Sequence, residues 1–173
     1  DFESYKKWLD LAGVDTSLIV SDTSTTTAFA SILTDQKDNQ ITAFYPGAMK
    51  APYVFTDAMW ADAAIGIVSP SNPDDMRRLP KAFRERSIPF MYDPGQQIPT
   101  LSGDDLKEGM EHAGAVVAND YELAMILKKT GMNENNILEH AEMLVTTLGE
   151  QGSRIRTRKD TFDVPPAKPR DAS

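Results

Sequence analysis

Four short apolar segments in the second half of the chain constrain its fold more than any other feature. They lie at residues 64–68, 88–92, 115–118 and 143–148, and helical patterns separate them. Each segment is largely apolar at successive positions, which is typical of a strand that is buried on both faces. Such strands, when helices connect them, form a parallel sheet with helices on both sides. The sequence therefore predicts an α/β fold, a three-layer α/β/α sandwich with a mainly parallel sheet.

Helical patterns between these strands complete the expected layout. Pro73 begins a helix, and Pro80 predicts an interruption of that helix. A terminal antiparallel ribbon is expected at residues 154–157 and 161–164. The predicted helices lie at residues 52–61, 73–86, 102–112, 120–129 and 135–142.

The first half of the chain has a different pattern. Apolar residues recur at helical spacing over residues 2–12, and Gly13 ends that helix as a C-cap would. Residues 23–34 and 40–45 are predicted to form a β hairpin around the polar turn at 35–39. We therefore expect a small hairpin in addition to the main sheet.

Composition and charge exclude several classes of protein. The 173 residues suit one domain, and 18 Lys and Arg against 26 Asp and Glu give a net charge of −8, which argues against a nucleic-acid binder. No apolar stretch approaches the ~20 residues of a membrane helix, so we expect no membrane partner. The chain has no cysteine, which fits a reducing, cytoplasmic setting.

Unusual polar residues follow three of the predicted strands, at the edge where α/β sheets bind ligands. The first group is Asp93, Pro94 and Gly95, whose tight turn is expected to leave two adjacent amides facing the space over the sheet. A turn that is simply capped by the Asp93 side chain is the alternative. Gln96 and Gln97 follow directly.

The second and third groups follow the next two strands. Asp120 is the expected N-cap of a helix and Glu122 lies in its first turn, where a carboxylate can hold a divalent cation or serve only in capping. The loop at 146–152 carries hydroxyls and two glycines, and it suits the close approach of a phosphate or a ribose. It lacks the Lys of a Walker loop.

Two other candidate sites have little support. His112 and His140 are far apart in sequence and lie on different predicted helices, so we expect no zinc site. A basic stripe on the helix at 73–86 is expected to be a solvated helix face.

The order of the motifs resembles one known family. Asp-Pro-Gly-Gln-Gln at 93–97, Asn-x-x-Glu at 119–122 and Thr-Leu-Gly-x-x-Gly at 147–152 resemble the ribokinase-like (PfkB) carbohydrate and nucleoside kinases. The opening helix and the Phe-Tyr-Pro-Gly-Ala-Met segment at 44–49 also fit, and the bacterial adenosine kinases are most similar. The resemblance implies that residues 1–173 are the central part of a kinase domain, with a β lid at 23–49.

The family resemblance also implies a set of binding residues. ATP would be bound by Asn119, Thr147, Gly149 and Gly152, and Glu122 would act on Mg²⁺ through water. The substrate would contact Gln96 and Gln97, together with Phe44 and Met49 of the lid. The family's catalytic Asp motif is expected after Ser173, and an N-terminal segment is expected before Asp1. We therefore expect this chain to be an internal part of a longer enzyme, without activity of its own.

The implied activity is that of a phosphotransferase with an alcohol group as acceptor. It would use ATP and Mg²⁺ to phosphorylate the 5′-hydroxyl of a nucleoside, with adenosine to AMP as the leading expectation. A sugar kinase for ribose or fructose is one alternative, and a non-catalytic nucleotide-binding module is another. The lid hairpin is also expected to offer a surface for pairing with a second copy.

Overall fold

The computed structural model describes residues 2–36 and 40–167. They divide into two compact units, of which the first ends at Ala61 and the second begins at Asp62. The assignment of residues 23–49 as a lid of one kinase domain stays a prediction.

The first unit contains one helix and the predicted hairpin. Helix α1 spans Phe2–Leu11, and strands β1 (Phe29–Thr34) and β2 (Gln40–Tyr45) pair antiparallel. The predicted turn at 35–39 lies partly outside the described residues. A 3-10 turn, Gly47–Lys50, follows β2.

Two predictions in the first unit are wrong. The strand predicted at 23–34 begins only at Phe29, because its partner β2 ends before Pro46, which has no amide hydrogen to donate. The helix predicted at 52–61 is reduced to a 3-10 turn at Asp57–Met59. Aromatic and β-branched residues fill positions 53–56, and such residues lose side-chain freedom in a helix.

The second unit is built on a six-stranded, mainly parallel sheet, as predicted. Its spatial order follows the chain from β3 to β8, with β3 to β6 parallel and the last two strands antiparallel. The strands are β3 (Gly66–Val68), β4 (Phe90–Tyr92), β5 (Ala115–Asn119), β6 (Met143–Thr147), β7 (Ser153–Thr157) and β8 (Thr161–Val164). The helices are α2 (Pro73–Glu85), α3 (Gly103–Met110), α4 (Asp120–Thr130) and α5 (Glu134–His140).

The two faces of this sheet differ in burial. Val68, Tyr92 and Val116 share one face and are fully buried, whereas Ile67, on the other face, is 58% exposed. Right-handed connections between strands in sequential order place the connecting helices on one face, and α3 accordingly contacts α2, α4 and α5. The mixed α/β fold is confirmed, and the helices between Asp62 and Ala167 cover the buried face.

Helix α2 continues through Pro80, so the predicted interruption is wrong. A proline inside a helix removes one backbone hydrogen bond and commonly kinks the helix. Met76, Pro80 and Phe83 are all buried. Packing of this face against the unit therefore offsets the missing bond.

The basic stripe of α2 is not simply a solvated face. The Arg77 guanidinium lies 3.0 Å from Asp105 at the start of α3. Arg84 donates to the backbone carbonyl of Glu108 at 2.9 Å and to that of Glu111 at 3.2 Å, near the end of α3. The stripe therefore holds two neighbouring helices together through charge-assisted hydrogen bonds.

Candidate active site

The polar residues singled out after β4, β5 and β6 lie at one edge of the sheet. These strands are parallel neighbours, so their carboxyl ends point the same way. Asn119 and Thr147 are direct register partners on β5 and β6. Asp93 follows β4, and its amide donates to the carbonyl of Val68 at 2.9 Å. The structure therefore places Asp93, Asn119 and Thr147 along the same edge.

A reciprocal pair of hydrogen bonds joins Asn119 to Glu122 at the start of α4. Asn119 Oδ1 accepts from the Glu122 amide at 2.8 Å, and Glu122 Oε2 accepts from the Asn119 amide at 2.8 Å. This arrangement is a capping box, and it satisfies two backbone donors at the junction of strand and helix. The Asn-x-x-Glu motif thus has a structural role, because it caps α4 where β5 ends.

The prediction that Asp120 caps this helix is wrong. Asn119 has the extended backbone of an N-cap, with φ −79° and ψ 175°, and Asp120 is already the first helical residue. The Asp120 carboxylate instead accepts from the Tyr121 amide at 2.8 Å. The spacing of Asn119 and Glu122 was itself the signal that identifies the cap, since a capping box joins residues three apart.

Asp93 and Glu122 form an electrostatically coupled pair of carboxylates. Burial raises the pKa of the Asp93 carboxyl, and the negative charge of Glu122 raises it further. A hydrogen bond from the Gly95 amide partly opposes this shift. Sequence reasoning treated the two residues separately, because their proximity depends on the pairing of β4 with β5.

Backbone amides in the turn after β4 form hydrogen bonds within the turn itself. The Gly95 amide bonds to Asp93, and the Gln97 amide donates to the Pro94 carbonyl at 2.9 Å. The capped-turn alternative therefore describes Asp93 better than a turn with two free amides.

The two glutamines lie at the end of this turn, in the 3-10 segment Gly95–Gln97. Gln96 is exposed and Gln97 is half-buried. The Thr100 hydroxyl lies 2.8 Å from Gln97 Oε1 and 2.9 Å from the Gln97 carbonyl. These contacts orient the Gln97 carboxamide and leave its Nε2 group as the available donor.

The loop after β6 closes on itself through hydrogen bonds. The Leu148 amide donates to the Gly152 carbonyl at 2.8 Å, and the Gly152 amide to the Gly149 carbonyl at 3.0 Å. A Cβ on Gly152 would lie 2.1 Å from the Val164 carbonyl oxygen, whereas one on Gly149 would meet nothing within 4 Å. Gly152 therefore serves the packing of the loop against β8, and Gly149 borders open space.

The lid residues named from the sequence lie in the first unit. Phe44 is the register partner of Ala30 on the hairpin and is 54% exposed. Met49 lies in the turn Gly47–Lys50 and is half-buried.

Both histidines contact one carboxylate at the opposite edge of the sheet. His140 Nδ1 bonds to Glu111 Oε2, and His112 Nε2 lies 3.6 Å from Glu111 Oε1. The sequence did not predict that both histidines contact Glu111, because this contact depends on the packing of α3 beside α5. Within residues 2–36 and 40–167, no group of three or more His, Cys, Asp or Glu residues is arranged to hold a metal ion.

A cavity of about 370 Å³ also lies at that opposite edge. Arg84, Ser87, Phe90, His112 and Glu142 are among the residues that line it. None of the residues at the carboxyl ends of β4, β5 and β6 does so. This cavity and the polar groups of the candidate site therefore lie at opposite edges of the sheet, and the carboxyl ends of the strands are the edge at which α/β sheets bind ligands.

Comparison with known protein families identifies the family of this chain. The family model described as pfkB family carbohydrate kinase matches residues 1–172. The chain belongs to the PfkB family. The resemblance expected from the motifs at 93–97, 119–122 and 147–152 is thereby confirmed at the level of the family.

The most informative solved relative is the nucleoside kinase of Burkholderia thailandensis. Its complex with inosine has a TM-score of 0.92 and 33% identity, and the match covers 99% of this chain and 56% of that chain. The same kinase in complex with ADP-inosine has a TM-score of 0.90 at 33% identity, and the match covers 99% of this chain and 54% of that chain. The match therefore places the PfkB chain beside a kinase that was solved with nucleoside and nucleotide.

A second relative is the nucleoside kinase of Methanocaldococcus jannaschii. It is 26% identical over 167 residues, which are 95% of this chain and 55% of the relative. The PfkB chain thus spans about half the length of the relatives it matches. Across the described residues, no helix has both the length and the apolar character needed to cross a bilayer.

Replacement of the cap residue tests the structural part of the site. Asn119→Ala removes the acceptor of the Glu122 amide, and we expect a loss of about 1 kcal/mol in the free energy of unfolding. Asn119→Ser keeps an N-cap acceptor and is the matched control, expected within about 0.5 kcal/mol of the parent. Urea unfolding measures both values, and equal losses in the two variants would contradict the capping role.

The raised pKa of Asp93 predicts a pH-dependent cost to stability. The folded protein keeps the Asp93 proton to higher pH than the unfolded chain does. Stability is therefore lost as the pH rises from the usual Asp pKa, about 4, through the raised folded pKa. Asp93→Asn removes the charge and keeps an acceptor for the Gly95 amide, so we expect its stability relative to the parent to be higher at pH 7 than at pH 4. Urea unfolding of both proteins at pH 4 and pH 7 measures this, and a stability difference that does not change with pH would refute the raised pKa of Asp93.

Proposed function

We propose that the protein containing this chain is an ATP-dependent nucleoside kinase that phosphorylates the 5′-hydroxyl of adenosine. The observation that supports it most directly is the PfkB fold with the Asn119–Glu122 capping box beside Asp93 at the carboxyl ends of the strands. The relatives described above are nucleoside kinases, and one of them was solved with inosine, a purine nucleoside. Since the reaction consumes ATP, we place the protein in the cytoplasm.

The nucleotide would bind across the ends of β5 and β6. Asn119 and Thr147 are neighbours there, Gly149 borders open space, and Gly152 holds the loop in shape. The N-terminus of α4 adds the favourable potential that helix starts offer to phosphates. The relative solved with ADP-inosine supports a nucleotide as a ligand of this protein.

The residues present fit a magnesium ion held through water. Glu122 Oε2 is occupied by the Asn119 amide, whereas Oε1 has no hydrogen-bond donor among the described residues. The neighbouring Asp93 has a raised pKa, partly because of the Glu122 charge, and a nearby cation would relieve this repulsion. Glu122 would hold the ion through an ordered water, and the ion would neutralise charge on the transferring phosphoryl group.

The nucleoside would be held by Gln96 and Gln97 and covered by Phe44 and Met49. A carboxamide both donates and accepts hydrogen bonds, which suits the hydroxyls and ring nitrogens of a nucleoside. Thr100 restrains the Gln97 carboxamide before any ligand arrives, so less order has to be imposed on binding. Phe44 supplies an apolar face for a purine, and lid closure would exclude water from the reaction.

A substrate panel tests the proposed activity. The complete gene product is assayed for ATP-dependent ADP formation with adenosine, inosine, ribose and fructose. We expect kcat/KM for adenosine to exceed that for ribose by about 100-fold or more, because bare ribose leaves the groups that bind the base unpaired. We also expect residues 1–173 alone to show no turnover.

Each other outcome of the panel indicates a different function. Preference for inosine would contradict adenosine and retain a purine nucleoside kinase. Preference for ribose or fructose would identify a sugar kinase. ADP binding without turnover of any of the four acceptors would favour a nucleotide-binding module.

We further propose that the lid hairpin pairs with a second copy of the chain. One face carries Phe29, Leu33, Ile41 and Tyr45, each between 43% and 75% exposed. An isolated two-stranded sheet is only marginally stable in water, so covering this face would stabilise it. The opposite face carries Phe44 and remains available to the nucleoside.

Sedimentation of lid variants tests this pairing. Leu33→Lys places a charge on the proposed pairing face, and we expect it to convert a dimer into a monomer. Thr42→Lys, on the Phe44 face, is the matched control and is expected to remain dimeric. A monomeric parent protein, or equal effects of the two variants, would refute pairing through this face.

A further inference from the structure

One ammonium group gathers three backbone carbonyls directly after the glutamine pair. Lys129 Nζ lies 2.8 Å from the carbonyl of Ile98, 2.9 Å from that of Pro99 and 2.6 Å from that of Leu101. An ammonium has three N–H donors and no acceptor, so these three bonds match its full donor set. A single side chain, that of Lys129, thereby binds three of the four carbonyls of the segment at residues 98–101.

This segment needs a partner of that kind. It lies between the turn Gly95–Gln97 and α3, and it belongs to no helix or strand that would take up its carbonyls. The Ile98 side chain is fully buried and Leu101 is 1% exposed, so the segment is anchored on both sides. Buried side chains fix the backbone, and the carbonyls they orient require a donor.

The segment also sets the geometry of Gln97. The amides of Thr100 and Leu101 donate to the Gln97 carbonyl at 3.0 and 3.1 Å. The Thr100 hydroxyl contacts both the Gln97 carbonyl and its side-chain Oε1. A shift of residues 98–101 would therefore move the carboxamide that the proposed function assigns to the nucleoside.

Lys129 lies in the last turn of α4, whose first turn carries Glu122. One rigid helix thus runs from the proposed nucleotide end of the site to the support of the proposed nucleoside end. A cation in the last turn is also favoured by the helix dipole.

We propose that Lys129 is a positioning residue for the nucleoside pocket and that its ammonium fills a cation site made of three carbonyl oxygens. The part that concerns the nucleoside rests on the proposed function. Carbonyl oxygens arranged around a cation replace its hydration shell in potassium-selective pores, so the same chemistry admits a small monovalent cation here. Truncation of Lys129 is then expected to leave a site that ammonium ion occupies.

The test compares Lys129→Met with Lys128→Met in the complete gene product. Lys128 is the neighbouring exposed lysine, and it makes no hydrogen bond to the described residues, so it controls for loss of charge on α4. Steady-state kinetics with adenosine and ATP are measured in sodium chloride and in ammonium chloride at equal ionic strength. Hydrogen exchange is followed at the amides of Gln97, Ile98, Thr100 and Leu101, which donate to the carbonyls of Pro94, Gly95 and Gln97.

We expect Lys129→Met to raise KM for adenosine about tenfold, with KM for ATP changed less than twofold, since only the nucleoside side loses its support. Exchange at the four amides should become faster, and ammonium ion should reverse both effects. Lys128→Met should behave as the parent in every assay. Equal changes in the two KM values, or unchanged exchange in Lys129→Met, would overturn the proposal.

The design separates this proposal from the proposed function. If the parent turns over no nucleoside, the proposed function has failed and hydrogen exchange alone decides the role of Lys129. Faster exchange that ammonium ion reverses would then support the carbonyl cation site. Faster exchange that ammonium ion does not reverse would overturn that site.

Discussion

The capping box between Asn119 and Glu122 is the interaction on which the candidate site depends. It ends β5 and begins α4 within a single residue, so the last strand position and the first helical turn are fixed together. The same bonds occupy one carboxylate oxygen of Glu122, in the first turn of α4. Since Lys129 lies at the far end of that helix, the geometry of the glutamine turn depends on the same junction.

The order of the strands explains why the polar groups meet. Because β3 to β6 follow one another in sequence and are parallel, every loop after a strand arrives at the same edge. Asp93 follows β4 and Glu122 follows the neighbouring strand β5, and each carboxylate accepts a hydrogen bond from a backbone amide. The fold thus keeps the Asp93 carboxyl close enough to Glu122 for the Glu122 charge to raise the pKa of Asp93.

Local sequence signals predicted most elements of the second unit, and in the first unit they predicted α1 and the hairpin but not the start of β1 or the structure of residues 52–61. Strands and helices were recognisable from Asp62 onward because apolar runs alternate with caps, such as Ser102 before α3 and the left-handed Gly131 after α4. The continuity of α2 through Pro80, the pairing of Arg77 with Asp105 and the meeting of both histidines at Glu111 all depend on tertiary packing. No local pattern carries that information. The motifs at residues 93–97, 119–122 and 147–152 were recognisable from the sequence. That Gly152 packs against β8 whereas Gly149 borders open space became clear only from the position of β8.

The most direct test of the site is an NMR titration of the isotopically labelled protein with ADP and magnesium. Binding at the carboxyl ends of β5 and β6 should shift the backbone amide signals of Asn119, Glu122 and Gly149 in a saturable manner. Signals of Ser87 and His112, at the cavity on the opposite edge of the sheet, should not move. Shifts confined to that cavity, with Asn119 and Glu122 unchanged, would contradict the assignment of the nucleotide to the Asn119–Glu122 junction.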